Sequence, residues 1–118
     1  MELWGTAGFY VQMLLTMTLG LYVGRHRWVQ RADELMPQLT SRLRDWLDRP
    51  ADPDAPMACM RTLHTLKGGA RLAGAMRIGE MAHRLESLVQ QLAAPGAHPA
   101  AADIEALAGQ VLALATEI

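Results

Sequence analysis

The chain has 118 residues, of which 51% are hydrophobic, 19% charged and 5% aromatic, and its formal net charge is −1. A single core takes about 100–150 residues, so the length excludes two independent catalytic domains. The apolar fraction excludes a disordered chain, and the charge balance speaks against a general nucleic-acid binder, which carries a basic excess on one face.

The first 28 residues stand apart from the rest. From Leu3 to Gly24 no residue is charged, and the run ends at Arg25, His26 and Arg27. About 20 apolar residues cross a bilayer core, which makes residues 3–24 a candidate membrane span. Gly5, Gly8, Gly20 and Gly24, with Thr6, Gln12, Thr16 and Thr18, dilute its apolar character. A cleaved secretory signal needs basic residues ahead of its apolar stretch, and here they follow it. Three readings stay open: a membrane anchor, an apolar helix packed on the domain, or sequence extraneous to the domain.

From Val29 to Ile118 apolar residues recur at the three-and-four spacing that lines one face of a helix. Ala32, Leu35, Met36, Leu39, Leu43, Trp46 and Leu47 form the first stripe, which ends at Arg49-Pro50. Pro37 lies inside it and removes a backbone donor, so a kink or a fresh helix start is expected there. Pro50, Pro53 and Pro56 predict a stiff loop over residues 50–56. A second helix is expected over about Met57 to Ala73, with Cys59, Leu63, Leu66, Ala70 and Ala73 inward and Gly74 as its stop. The third spans about Met76 to Leu92 and turns Ile78, Met81, Ala82, Leu85, Leu88, Val89 and Leu92 inward. The fourth begins at or just before Asp103, with Ile104, Leu107, Ala108, Val111, Leu112, Ala115 and Ile118 on one face. The expected fold is all-α: an antiparallel four-helix bundle over residues 29–118, preceded by an extra apolar N-terminal helix or anchor over residues 1–28. Cys59 stands alone, so it forms no internal disulfide or paired-cysteine zinc site, and a reducing, cytoplasmic compartment is the simplest expectation.

Opposite the apolar stripe of the second helix lie His64, Lys67, Gly68 and Arg71, at i, i+3, i+4 and i+7. That spacing puts all four on one solvent-facing surface. Imidazole ordinarily titrates near neutrality, so a ring nitrogen can act as a nucleophile at pH 7. Lys67, one turn along, can bring an ammonium to a phosphoryl group on that ring. Each glycine inside a helix costs about 0.5–1 kcal/mol relative to alanine, so Gly68 and Gly69 ask for a reason. A bare patch beside the imidazole, open to a phosphoryl group and to another protein's surface, supplies one.

The run His64-Thr-Leu-Lys67-Gly68-Gly69-Ala70-Arg-Leu72-Ala-Gly74, followed by Gly79-Glu80-Met-Ala-His83-Arg-Leu85-Glu86, resembles the histidine-containing phosphotransfer (Hpt) domain. The family pattern is His-x-x-Lys-Gly, a glycine near the end of the same helix, and a Leu-Glu pair on the next. The resemblance covers roughly Val29 to Ile118 and is closest to the Hpt modules of chemotaxis-type hybrid histidine kinases that govern motility by type IV pili. It implies that His64 is the phosphoacceptor, taking a phosphoryl group from a kinase or an aspartyl phosphate and passing it to an aspartate of a response-regulator receiver domain. Lys67 would offset phosphate charge and Gly68 would clear space, with Leu72 and Leu85 in the core. Gly69, Arg71 and Arg61 are the expected docking positions.

The implied partners are a receiver domain and a sensor histidine kinase, with no nucleic acid. Mg2+ would sit on the receiver, and this chain is expected to hold no cofactor or metal. Such a protein is a phosphocarrier in two-component signalling rather than a turnover enzyme, either free-standing or part of a larger histidine kinase. The competing reading is a helical adaptor that docks receiver or kinase domains without being phosphorylated. His26, His83 and His98 are expected to be surface histidines without a chemical role. Arg71, Arg77 and Arg84 form either a docking surface or, as is commoner, a solvated helix face. The glycine-rich run lacks the Gly-x-x-x-x-Gly-Lys-Ser/Thr of a nucleotide-binding loop, and a metal site from His64 and His83 lacks further ligands at workable spacing.

Overall fold

Apolar stripes on amphipathic helices are stable only when they cover one another, and these do. The computed structural model describes residues 2–118, with side chains from Gly5 onward. Its helices are α1 (Glu2–Asp48), α2 (Asp54–Leu72), α3 (Met76–Leu92) and α4 (Ala101–Glu117), and no strand occurs among the described residues. Helices α1 and α3 each pack on both α2 and α4, which closes a ring of four. Short connections at 49–53, 73–75 and 93–100 make successive helices antiparallel neighbours. The result is an all-α four-helix bundle.

The core is filled from all four stripes: Leu39 and Trp46 from α1, Cys59, Leu63 and Leu66 from α2, Val89 from α3, and Ile104 and Leu114 from α4. Burying each large side chain contributes about 1.5–3 kcal/mol, and together they hold the bundle closed. Burial also pushes the Cys59 thiol up to about 11, which makes it a packing residue rather than a reactive one.

Helix ends follow from backbone hydrogen bonding. Gly74 adopts φ +79°, its N–H donates to the Arg71 carbonyl at 3.1 Å, and the Ala75 N–H reaches back to the Ala70 carbonyl at 2.8 Å. This pair of bonds satisfies the last carbonyls of α2, and the left-handed turn is open to glycine without a Cβ penalty. At its other end α2 starts three residues earlier than the proline spacing suggests. Pro56 falls in the first turn, where N–H groups have no intrahelical partner to lose, and the Asp54 N–H is taken by Asp52 Oδ1 at 2.9 Å.

Three further expectations are corrected. Helix α1 does not restart at Pro37: it runs unbroken to Asp48, because Pro37 and Asp33 both lie on the exposed side, where water can take the carbonyl that proline leaves without a donor. On α4 the inward leucine is Leu114, fully buried, while Leu112 is 68% exposed. The inward stripe is Ile104, Leu107, Val111 and Leu114, and Leu112 lies about 100° away from Val111 round the helix. Leu72, expected in the core, is 92% exposed in the last turn of α2.

The expected N-terminal segment is not a separate helix either: its described residues, 2–28, belong to α1. Nothing between Gly24 and Val29 breaks a helix, and α1 continues across that region. What changes there is burial: residues 5–27 are exposed on every side, and Trp28 is the first buried residue among those described. Forty-seven helical residues at about 1.5 Å each span about 70 Å. This accounts for the long dimension of a molecule measuring 72 × 23 × 20 Å.

Candidate functional site

The groove between α2 and α3 collects the polar residues that the core excludes. His64 stands on α2 with its side chain 72% exposed, and across the groove Glu86 of α3 brings Oε1 to 3.5 Å from its Nδ1. The other oxygen, Oε2, lies 2.7 Å from Nζ of Lys67, one turn along α2 from the histidine. The Lys67 and Glu86 side chains are only 13% and 19% exposed, so one carboxylate joins a sheltered ammonium to an open imidazole. Burial pushes the Glu86 carboxyl up, but the close Lys67 contact and charge, with His64 adding less, hold it below its ordinary value. Glu86 is therefore ionised at neutral pH and able to meet positive charge on the His64 ring.

The two adjacent glycines do different work. A Cβ on Gly68 would meet nothing within 4 Å, so the surface one turn from His64 is open. A Cβ on Gly69 would stand 2.9 Å from Cδ1 and 3.2 Å from Nε1 of Trp28. Gly69 is thus where the indole of α1 lies against α2. On α3, a Cβ at Gly79 would come within 3.1 Å of Cγ of Arg71, so this glycine makes room for the aliphatic stem of that arginine.

Of the four residues expected on one solvent-facing surface, His64 and Arg71 are exposed, Gly68 is half-buried beneath open space, and Lys67 is drawn into the groove. Among the expected docking positions, Arg61 and Arg71 are exposed on α2, while Gly69 faces Trp28. Two contributors were not singled out by sequence reasoning. Glu86 entered only as part of a Leu-Glu pair, and Trp28 only as the boundary of the amphipathic region. Glu80 and His83 have the Glu-x-x-His spacing found in di-iron bundles, but both are exposed on α3 and Glu80 engages Arg84 at 3.4 Å, so they do not project into the bundle.

The family model of the Hpt domain matches residues 26–117. The chain belongs to the Hpt domain family. Hpt domains serve histidine phosphotransfer in phosphorelays, where they meet kinases and response-regulator receivers. The matched stretch of this Hpt domain begins two residues before Trp28, so it covers the packed part of α1 and leaves residues 1–25 outside. No curated protein and no solved structure matches the chain. Within the Hpt domain, His64 is distinguished from the other three histidines by a carboxylate partner. His26 contacts Gln30 at 3.4 Å on the projecting part of α1, and His83 and His98 are exposed without an ion pair among the described residues.

Proposed function

We propose that the protein is a phosphocarrier that accepts a phosphoryl group on His64 and exchanges it with an aspartate of a receiver domain. The observation that carries this reading is the Lys67–Glu86–His64 cluster beside the open surface at Gly68. With Glu86 facing Nδ1, the proton of the neutral ring is favoured on that nitrogen, and Nε2 keeps its lone pair. Attack by Nε2 on an aspartyl phosphate forms an N–P bond as the acyl P–O bond breaks, and the aspartate leaves as a carboxylate. The ring, still protonated on Nδ1, takes on imidazolium charge, which the Glu86 carboxylate 3.5 Å away stabilises. The return step reverses these bonds. Lys67 holds Glu86 in place and supplies positive charge one turn from the phosphoryl group, and Gly68 leaves the approach clear for the receiver.

Phosphoryl transfer depends on position and charge, and this surface supplies both. Mg2+ is assigned to the receiver, a sensor histidine kinase is the upstream donor, and the bundle works in the cytoplasm. The likeness of the His64–Glu86 run to the Hpt modules of chemotaxis-type hybrid kinases supports a place in a pilus-motility relay. Incubation with a phosphorylated receiver should transfer acid-labile, base-stable label to the wild-type chain, and His64→Gln should lose it entirely. Label that persists in His64→Gln would overturn the assignment of the acceptor. Receiver binding without any transfer would favour the unphosphorylated adaptor.

A further inference from the structure

We propose that residues 5–24 cross a lipid bilayer and hold the bundle against the membrane on the side of Arg25, His26 and Arg27. Twenty helical residues at about 1.5 Å each span about 30 Å, the thickness of a bilayer's hydrocarbon core. This stretch carries no charged residue and none of it is buried against the bundle.

Its apolar side chains point in every direction. Met13, Leu14 and Leu15 follow one another about 100° apart round the helix and are 40%, 59% and 61% exposed; Phe9, Leu19 and Leu21 are 65%, 62% and 71% exposed. A helix that pairs with a second copy in water needs a polar outer face, as coiled coils have, and this one has none. Apolar character all round is instead the signature of a helix surrounded by lipid.

Three of its polar side chains, Gln12, Thr16 and Thr18, are also held as lipid requires. Hydrocarbon offers no hydrogen-bond partners, so they must be satisfied within the helix. Thr16 Oγ1 donates to the Gln12 carbonyl at 2.8 Å, Thr18 Oγ1 donates to the Leu14 carbonyl at 2.8 Å, and Gln12 Nε2 donates to Thr16 Oγ1 at 3.4 Å. At the bundle end, Tyr22 stacks on His26 with ring centroids 6.2 Å apart, an aromatic at the level where the charged residues begin. Basic residues flanking a span mark its cytoplasmic side, which places the bundle there.

The test uses the full chain expressed in bacterial cells. Membranes are washed with carbonate and floated on a density gradient, which separates inserted protein from aggregates. Orientation is read with an impermeant maleimide on spheroplasts of two single-site variants, Glu2→Cys and Ser41→Cys; the native thiol, Cys59, is buried and stays silent. The expected result is a carbonate-resistant floating chain, labelled at position 2 from outside and at position 41 only after lysis. The double variant Leu14→Arg/Leu15→Arg should reduce the floating fraction at least about tenfold while the bundle keeps its helical circular dichroism. A chain that stays soluble, as monomer or dimer, would overturn the proposal, and so would one that sediments as aggregate. Flotation without outside labelling at position 2, which describes a helix lying on the surface, would overturn it too, as would a double-arginine variant that floats as well as the parent.

Discussion

Helix α1 carries two stretches of similar length on one unbroken backbone, both rich in apolar residues, and they meet opposite fates. Residues 28–48 bury Trp28, Ala32, Leu35, Leu39, Leu43 and Trp46, while residues 5–27 bury nothing. The difference is in spacing. In the second stretch the apolar positions recur every three or four residues and leave the charged ones outside; in the first they fill every face, and no charge marks an outside before Arg25. Hydrophobicity decides that a side chain should leave water, and periodicity decides whether another helix of the same chain can receive it.

Substitutions on either side of the junction can break or sharpen this contrast, with thermal melts of the detergent-solubilised full chain as the common measurement. The largest effect is expected from Trp46→Ala, which empties the most voluminous fully buried position and should cost about 3–5 kcal/mol. At roughly 4–8 °C per kcal/mol for a domain of this size, the melting temperature should fall by more than about 10 °C. Gly69→Ala comes next. Its methyl would press on Trp28 at the point where the packed half of α1 begins, and overpacking of this kind costs about 1–3 kcal/mol, against about 1 kcal/mol regained in helix propensity.

Glu86→Gln should lower stability by about 1 kcal/mol at neutral pH, through loss of the pair with Lys67. Because the folded protein holds the Glu86 carboxyl below its ordinary value of 4.5, the pair's contribution is complete above that pH and is lost as the pH falls through the depressed value. The gap between the wild-type and Glu86→Gln melting temperatures should therefore be constant at neutral pH and close progressively below pH 4.5. Gly68→Ala should raise stability by about 0.5–1 kcal/mol, since its Cβ meets open space, and yet slow label transfer from the receiver. The smallest effect belongs to the projecting half: Leu15→Ala should change bundle stability by less than about 0.5 kcal/mol. A loss at Leu15 as large as that at Trp46 would mean that the two halves of α1 share one core.

Most of the fold could be read because helical burial has a single period. The inward residues of α3 and the limits Met76 and Leu92 follow from it directly, and so does the stop at Gly74. Leu112 misled because α4 alternates alanine and leucine near its end; both leucines are apolar, and only the phase set by Ile104, Leu107 and Val111 selects Leu114. At the site, position along α2 was enough to find His64, Lys67, Gly68 and Arg71. It could not show that Lys67 is turned toward α3, because the spacing within one helix does not contain the partner helix. The two neighbouring glycines look alike in the sequence, and only the position of Trp28, more than 40 residues earlier in the chain, separates the one that leaves open surface from the one that receives an indole. The expected boundary after residue 28 was drawn from composition, and composition carries no helix-breaking signal there.

The absence of a joint between Gly24 and Trp28 makes α1 a shaft. Whatever grips its first turns sets the azimuth at which His64 is presented, and residue count is the gear: each residue inserted or removed between the two halves turns the bundle by about 100°, and seven bring it nearly back to its starting angle. A receiver approaching along a surface would then meet the histidine or the opposite face of the bundle according to the number of residues in that segment.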